Sequence, residues 1–234
     1  MMLFRFLRIP VIVFFTGANL FGFSSLSIAA KSNDFQVDGL VMTDKPNSAM
    51  ACMNLNNPPR LGVQHIDNYI LKKVNRGHTI EQAEDCIERL RDECFKLDIH
   101  LMPDLPNSNP ELDKLMFDYV YSRIHPDQIK IYPCQVTPWT KIKKWYDEGK
   151  YMPYGEKQPE KLVEVIKHAI RTCPYYVRHP RIVRDIPLSY VHGGTEMTNL
   201  REYCDRQLEK EGFIQKEIRA REIGRHKKYY FEKK

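Results

Sequence analysis

Polar and apolar side chains at the ends of short hydrophobic runs are the residues of this chain best suited to holding a ligand. Gln64 ends the run RLGVQ, and its amide offers both an acceptor and donors. Gly62, two residues earlier, lets another group approach the backbone closely. Met102 and Pro103 end a second run, where they provide an apolar wall for a flat ring. These residue types favour binding, and none of them identifies a catalytic group.

Lys130 and Tyr132 form a third candidate pair, in the run KIYPC. They are two residues apart and therefore face the same side of a strand. A lysine on an enclosed face is costly unless it is paired or meets an anion. A tyrosine can donate a hydrogen bond or stack on a base. The pair predicts a surface for an anion and a ring, and a solvated face is the alternative.

Alternating strand and helix patterns must position these residues. Strands are predicted at 60–64, 97–102 and 129–132, with an extended segment at 176–183. Helices are predicted over 66–74, from Pro138 to Gly149 and over 199–210. Three more are predicted to begin at the T-x-x-Q capping box at Thr79, at Asn109-Pro110 and at Pro159. This alternation predicts parallel βαβ units. The carboxyl ends of such strands meet at a common site. We therefore expect three pairs of residues to face one mouth there: Gln64 with His65, Pro103 with Asp104, and Tyr132 with Pro133.

Basic residues concentrate toward the end of the chain. The segment 181–187 (RIVRDIP) includes Arg184, and residues 201–234 hold 11 Lys/Arg against 7 Asp/Glu, which is +4 of the net charge of +6. Arg219 and Arg221 lie in this segment, and Tyr229 follows at its end. Basic residues with nearby aromatics suit a phosphate backbone and unstacked bases. A solvated basic tail is the alternative.

The six cysteines, at 52, 86, 94, 134, 173 and 204, predict neither a metal site nor a disulfide framework. No two form a C-x-x-C pair, and no zinc-like spacing with histidine occurs. Cys86 and Cys94 fall on the apolar stripe of a predicted helix, where cysteine acts as a small hydrophobe. We expect most of the six to be reduced thiols.

The first 58 residues differ from the rest. Arg5 and Arg8 precede an uncharged stretch at 9–30 that is about as long as a membrane span, roughly 20 residues. Three interpretations stay open: a signal peptide or single anchor, a translated upstream segment without a targeting role, and a buried core element. Residues 31–58 are polar and irregular, and we expect a linker there.

Several longer motifs identify a family. They are NRGHT at 75–79, HLMPDLPN at 100–107, DQIKIYPCQVTPWTKIKKWYDEGKYMPY at 127–154, RDIP at 184–187 and IRAREIG at 218–224. Over residues 59–226 the chain resembles the catalytic subunit of Elongator. The resemblance implies an α/β fold: the C-terminal half of a TIM-barrel-like radical-SAM barrel at 59–190, followed by a basic extension at 191–234.

The resemblance also implies a function and site residues. The family uses S-adenosyl-L-methionine (SAM), a four-iron four-sulfur cluster and acetyl-CoA to modify C5 of uridine 34 in tRNA, in the cytoplasm. On this basis we expect any remaining site to hold SAM with Gln64, Met102 and Pro103, and to contact RNA with the following residues: Lys130, Tyr132, Arg184, Arg219 and Arg221. The NRGHT turn, where Gly77 is able to take a positive φ, has either a functional or a purely structural role.

Two departures from the family pattern limit this expectation. The cluster-binding cysteine triad is not found, and the sequence given ends where the acetyltransferase domain would begin. We therefore expect no cluster on this chain and no radical chemistry from it alone. The alternatives are a tRNA-binding module, half of a split enzyme that joins a separately encoded N-terminal half or other Elongator-like subunits, a non-functional gene remnant, and a membrane-anchored protein.

Overall fold

The computed structural model describes residues 59–184 and 186–225, together with the backbone of three short strands closer to the N-terminus. These strands are β1 (Phe35–Asp38), β2 (Leu40–Met42) and β3 (Met50–Ala51), and they lie within the range expected to be a linker. The apolar stretch at 9–30 lies outside the described residues. Among the residues that are described, no helix has the length and hydrophobicity needed to cross a membrane.

A single sheet of seven strands organises the fold, in the order β3-β2-β1-β4-β5-β6-β7. The last four strands are β4 (Arg60–Gln64), β5 (Asp98–Leu101), β6 (Gln128–Ile131) and β7 (Arg178–Ile182). They run parallel to one another, whereas β1 to β4 pair antiparallel. The predicted parallel βα arrangement is therefore confirmed for the second half of the sheet.

In the described part of the chain, six α-helices lie between the parallel strands and a seventh follows β7, and the first four begin at a side-chain cap. They are α1 (Asn68–Lys73), α2 (Ile80–Asp92), α3 (Pro110–Tyr119), α4 (Lys141–Asp147), α5 (Tyr154–Lys157), α6 (Pro159–Thr172) and α7 (Leu200–Lys210). The capping box at Thr79 is formed with Gln82, and Asn109 caps α3 ahead of its first-turn proline. These side chains satisfy backbone N–H groups that have no partner inside the helix.

Alternate burial along the strands gives the sheet two different faces. In β4, Leu61 and Val63 are buried, while Arg60 and Gln64 are only partly covered. The buried face packs in one core with α2, α3, α6 and α7, to which α6 contributes Leu162, Val165, Ile166, Ala169 and Ile170 among others. The other face of the parallel strands carries mainly polar residues, and it is this face that holds the candidate site.

Three local predictions were wrong, each because a helix ends or begins at a left-handed residue. Cys94 is exposed and lies just past α2 with φ 62°, so it is not on the apolar stripe. In the turn after α1, the positive φ of 59° belongs to Asn75 rather than to Gly77. The fourth helix begins at Lys141 with Thr140 as its cap, because Trp139 has φ 61°.

A buried polar cluster fastens the C-terminal segment to β7. Arg201 of α7 forms an ion pair with Glu217 and donates to the carbonyl of His179 at 2.9 Å. Glu217 also accepts the backbone N–H of His179 at 2.8 Å. Tyr121 donates to the Ala169 carbonyl, so its oxygen accepts from Nε2 of His179 at 2.8 Å.

The same cluster holds His179 neutral. Its Nδ1 is buried and has no hydrogen-bond partner among the described residues, which suits the tautomer with the proton on Nε2. Burial, and then the nearby Arg201, lower the pKa of His179 to about 4, against the opposing effect of Glu217. A second proton on this ring would therefore be placed in a buried site without an acceptor.

The His179→Gln variant is expected to lose part of the acid sensitivity of the fold. Below about pH 6.5 the unfolded chain takes up a proton on this histidine that the folded chain refuses. Stability present above pH 6.5 is therefore lost as the pH falls toward 4, by about 3 kcal/mol for this one group. Chemical denaturation at several pH values between 4 and 7 measures the slope.

The slope of His179→Gln should be smaller than that of the parent. Both slopes also contain His78, whose pKa burial lowers to about 4, and Asp104, whose pKa burial raises to about 7 and which acts in the opposite direction, so the difference between the two slopes is what reports on His179. His192→Gln, the same change in an exposed loop histidine, is the matched control for the substitution itself. Equal slopes for the parent and His179→Gln would contradict the assignment.

Candidate functional site

A cleft of about 770 Å³ opens on the polar face of the parallel strands. It is lined by Arg60, Gln64, His100, Met102, Lys130, Tyr132, Pro133, Cys134, Gln135, Thr137, Thr140, Ile142, Pro180, Arg181, Arg184 and Ile186. These side chains come from all four parallel strands, from the loops that follow them and, for Ile142, from α4. Four are cationic and none of the described lining residues is acidic, so the cleft suits an anionic ligand.

Asp98 forms the floor beneath two of the cations. Its side chain is 2% exposed and forms an ion pair with Lys130, while Nε of Arg60 lies 3.6 Å from the same carboxylate oxygen. The other oxygen, Oδ1, is buried without a hydrogen-bond partner among the described residues. The enclosed lysine thus has the partner that its position demands. Asp98 was missed by the sequence reasoning, although it lies two residues before His100 and so shares its face.

Tyr132 and His100 form an aromatic wall above this floor. Their rings meet edge to face with centroids 5.5 Å apart, and Nζ of Lys130 lies 3.5 Å from Nε2 of His100. Burial raises the pKa of Tyr132, although Arg181 opposes this effect. The phenol therefore stays protonated at neutral pH and is available as a hydrogen-bond donor.

Gln64 carries two features that indicate a ligand-binding role. Its backbone is left-handed, with φ 66°, which costs a residue with a Cβ free energy. Its Oε1 is buried in the cleft wall and has no donor among the described residues. An acceptor left unsatisfied in a cleft is a position where a ligand's amino or hydroxyl group would be bound.

The NRGHT turn supports Gln64 from the side. Arg76 donates from Nη2 to the carbonyl of Gly62 at 2.8 Å, and His78 bonds to the backbone of Val63. A Cβ on Gly62 would lie 2.8 Å from Nε2 of Gln64 and 2.9 Å from Nη2 of Arg76, so a larger residue there would displace the ends of these two side chains. These contacts indicate a structural role for the turn.

The loop after β5 separates the two residues predicted to form a SAM wall. Met102 lines the cleft, whereas Pro103 is buried, absent from the lining, and accepts the Cys134 N–H at 2.9 Å through its carbonyl. Asp104 is also buried, with φ 66°, and its two carboxylate oxygens accept the N–H groups of Tyr154 and Gly155 at 2.7 and 2.8 Å. It therefore begins α5 rather than facing a ligand.

Buried carboxylates lie behind that loop. Burial raises the pKa of Asp104 to about 7; the N–H groups of Gly155 and Tyr154 oppose the rise, and Asp113 adds to it. Asp113 accepts the Asp104 N–H at 2.7 Å and lies 3.3 Å from Nε2 of His65. His65, predicted to face the mouth, is thus fully buried in this network instead.

The structure also places two of the predicted RNA-binding arginines away from the cleft. Arg219 donates to the carbonyl of Pro180. Arg221 donates to the carbonyls of Lys216 at 2.8 Å and Tyr175 at 2.6 Å. Neither lines the cleft, whereas Lys130, Tyr132 and Arg184 do. Both arginines fasten the segment after α7 to β7 and its preceding loop.

The described cysteines do not fit an iron–sulfur cluster. No group of three or more Cys, His, Asp or Glu side chains among the described residues could hold a metal ion. Cys86, Cys134, Cys173 and Cys204 are buried, and burial raises the pKa of each thiol to about 12. A cluster is bound by thiolates, and these four groups remain thiols.

Comparison with known proteins relates the chain to radical-SAM proteins. Residues 126–210 match the Radical_SAM C-terminal domain. The tRNA uridine(34) acetyltransferase of Methanocaldococcus jannaschii is 40% identical over 166 residues, which cover 70% of this chain and 30% of that protein. Elongator complex protein 3 of Homo sapiens is 32% identical over the same shares of the two chains.

The structure of Methanocaldococcus infernus Elp3 with an N-terminal deletion is also similar. It superimposes with a TM-score of 0.66 at 39% identity, covering 70% of this chain and 38% of that one. The cleft and sheet described above therefore define a radical-SAM type of α/β fold. Within that class, the chain is a relative of the Elongator catalytic subunit family, as predicted, and spans about 30% of the length of its curated relatives.

The Gln64→Gly variant is expected to raise the free energy of unfolding by about 1 kcal/mol, because glycine adopts a positive φ without strain and removes the unsatisfied Oε1. Urea denaturation of the two chains measures the difference. Gln128→Gly is the matched control: Gln128 begins β6 with an ordinary φ, so its loss should lower stability by about 1 kcal/mol. Equal destabilisation by both changes would refute the strain at Gln64.

Proposed function

We propose that this chain binds tRNA through the cationic cleft and takes part in modifying C5 of uridine 34. One observation carries the proposal: Arg60, Lys130, Arg181 and Arg184 line a single cleft whose described lining contains no acid. Asp98 beneath the cleft compensates part of this charge, and the remaining excess of cations concentrates a polyanion, since phosphate contacts supply much of the affinity for nucleic acid. The related proteins named tRNA uridine(34) acetyltransferase support tRNA as that polyanion.

Gln64 and Met102 are proposed to hold SAM in this cleft, at the carboxyl ends of β4 and β5. The unsatisfied Oε1 of Gln64 suits an amino or hydroxyl donor, and Met102 offers an apolar surface beside it. Pro103 acts on this site only by fixing the loop, through its bond to Cys134. SAM would supply a sulfonium centre and an adenosyl group. No radical step is assigned to the described residues, because they do not fit a cluster.

Among the predicted RNA-binding residues, Lys130 and Tyr132 lie deeper than Arg184. Lys130 is engaged by Asp98, and Tyr132 packs against His100. Arg184 follows β7 and has an exposed side chain at the cleft. We therefore assign the phosphate contact to Arg184, and to Tyr132 a contact with the ring or sugar of a nucleotide that enters the cleft.

A second candidate is half of a split enzyme. Parallel sheets are ordinarily covered on both faces, yet among the described residues helices cover only one face of β4 to β7. A separately encoded chain with the cysteine triad would cover the other face and complete the cleft. Co-purification of such a chain with this one, at a fixed 1:1 ratio, would favour this candidate.

The Arg184→Ala variant is expected to bind a uridine-34 tRNA transcript several-fold more weakly than the parent. Binding is measured by filter retention between 50 and 300 mM salt. Each phosphate contact contributes about −0.9 to the slope of log K against log salt for duplex, and about −0.7 for single strands. The loss of one contact should therefore reduce the slope by about 1 or slightly less.

Arg89→Ala is the matched control, because Arg89 is an exposed arginine of α2, on the helix-covered side, paired with Asp85. It makes the same change in net charge and should leave both affinity and slope unchanged. An equal effect of the two variants would indicate nonspecific attraction. Absence of salt-sensitive binding by the parent chain would refute the proposal.

A further inference from the structure

Two exposed aromatic side chains lie beside the cleft. Trp139 is 92% exposed and Tyr190 is 49% exposed, and their ring centroids are 6.4 Å apart at an angle of 50°. A tryptophan that is exposed to this extent leaves a large apolar ring in water, which is unfavourable unless the ring contacts a ligand or a partner. The function proposed above does not use either residue.

Local bonds fix the turn that presents Trp139. Its backbone is left-handed, with φ 61°, an unfavourable conformation for a large side chain. The next residue, Thr140, donates from Oγ1 to the carbonyl of Thr137 at 2.8 Å and accepts the N–H of Lys143 at 3.1 Å. The hydrogen bonds of Thr140 therefore hold the backbone of the turn in the strained conformation that directs Trp139 outward.

A second set of bonds ties the loop of Tyr190 to the same turn. Val136 donates its N–H to the carbonyl of Gly193 at 2.9 Å and accepts the N–H of His192 at 2.8 Å. Gly193 also packs closely on α4, because a Cβ there would lie 2.7 Å from the ring of Tyr146. The two aromatic rings are thus positioned by one connected backbone, which reduces the entropy lost on binding.

The position of the pair beside the cations indicates what it binds. Thr137 and Thr140, on either side of Trp139, line the cleft, as does Ile186, four residues before Tyr190. The same lining carries Arg184 and three further cations. Aromatic rings beside a cationic groove are the arrangement that proteins use for unpaired nucleotides, whose bases stack while their phosphates meet the charges.

We propose that Trp139 and Tyr190 form a stacking platform for an unpaired base of the RNA whose backbone is held by the cleft. The exposed face of Trp139 takes the base, and Tyr190 supports the tryptophan from the other side. The proposal rests on the function proposed above and adds to it a selectivity for unpaired over paired RNA. A base within a duplex has no free face for this ring.

The chain has only two tryptophans, Trp139 and Trp145, which allows a direct test. Trp145 packs against the cations Lys73 and Lys141 rather than beside Tyr190. In the Trp145→Phe chain, oligouridylate or the tRNA transcript should quench most of the emission of Trp139. In the Trp139→Phe chain the same RNA should cause little change. Equal quenching of both chains would overturn the proposal.

Affinity measurements separate stacking from charge. Trp139→Ala is expected to weaken binding of single-stranded RNA about 5- to 140-fold, the range that corresponds to the loss of one stacked base, with the salt slope unchanged. Heparin, a polyanion without bases, should bind this variant and the parent equally, whereas Arg184→Ala should weaken both ligands. Because Trp139 is so exposed, its removal should leave the circular dichroism and unfolding midpoint intact.

The outcomes distinguish the two proposals. If the parent binds RNA with the expected salt slope and Trp139→Ala changes affinity by less than twofold, the platform is refuted and the cleft stands. If the parent binds no RNA, both are refuted. If Trp139→Ala instead abolishes self-association measured by sedimentation while RNA binding is unchanged, the aromatic pair is a protein interface and the platform is refuted.

Discussion

The alternation of side chains along four parallel strands is the constraint on which the remaining features depend. Leu61 and Val63 of β4, Ile99 of β5 and Ile131 of β6 all point into the helix-covered core and are essentially inaccessible to water. Because the side-chain period of a strand is two, their neighbours must point the other way. If the opposite face of the sheet were apolar as well, it would need a second core to cover it. In this chain that face carries cations, aromatic rings and amides instead.

Backbone strain is concentrated where the parallel strands end. Gln64, the last residue of β4, and Asp104 after β5 have φ 66°, and Val183 after β7 has φ 75°. A β-branched residue is especially disfavoured there, yet Val183 is buried and donates to the carbonyl of Ile131 at 2.8 Å. These residues turn the chain sharply at the edge where the cleft opens. The core and the sheet hydrogen bonds therefore stabilise a strained rim that directs Gln64 and Arg184 to the ligand side.

Local signals made much of the fold predictable, because caps and periodicity act within one turn or one strand. Thr79 and Asn109 begin their helices as expected. Long-range partners were not predictable in this way. Arg219 and Arg221 have the composition of an RNA-binding segment, but backbone carbonyls 39 and 46 residues away accept their hydrogen bonds. Pro103 shares a motif with Met102, yet the alternation across a strand end puts only Met102 in the cleft.

The distribution of charge divides the cleft into two parts. At the amino-terminal ends of the strands, the buried Asp98 holds Lys130 and lies close to Arg60, so the floor is largely compensated. Arg184 follows the carboxyl-terminal end of β7, where the described lining offers no acid. The field for an anion is therefore strongest at the rim, where ligands of open α/β sheets bind. At the floor, where Asp98 compensates the cations, a ligand would be bound mainly by hydrogen bonds. This arrangement favours a polyanion at the rim with a smaller polar group below it.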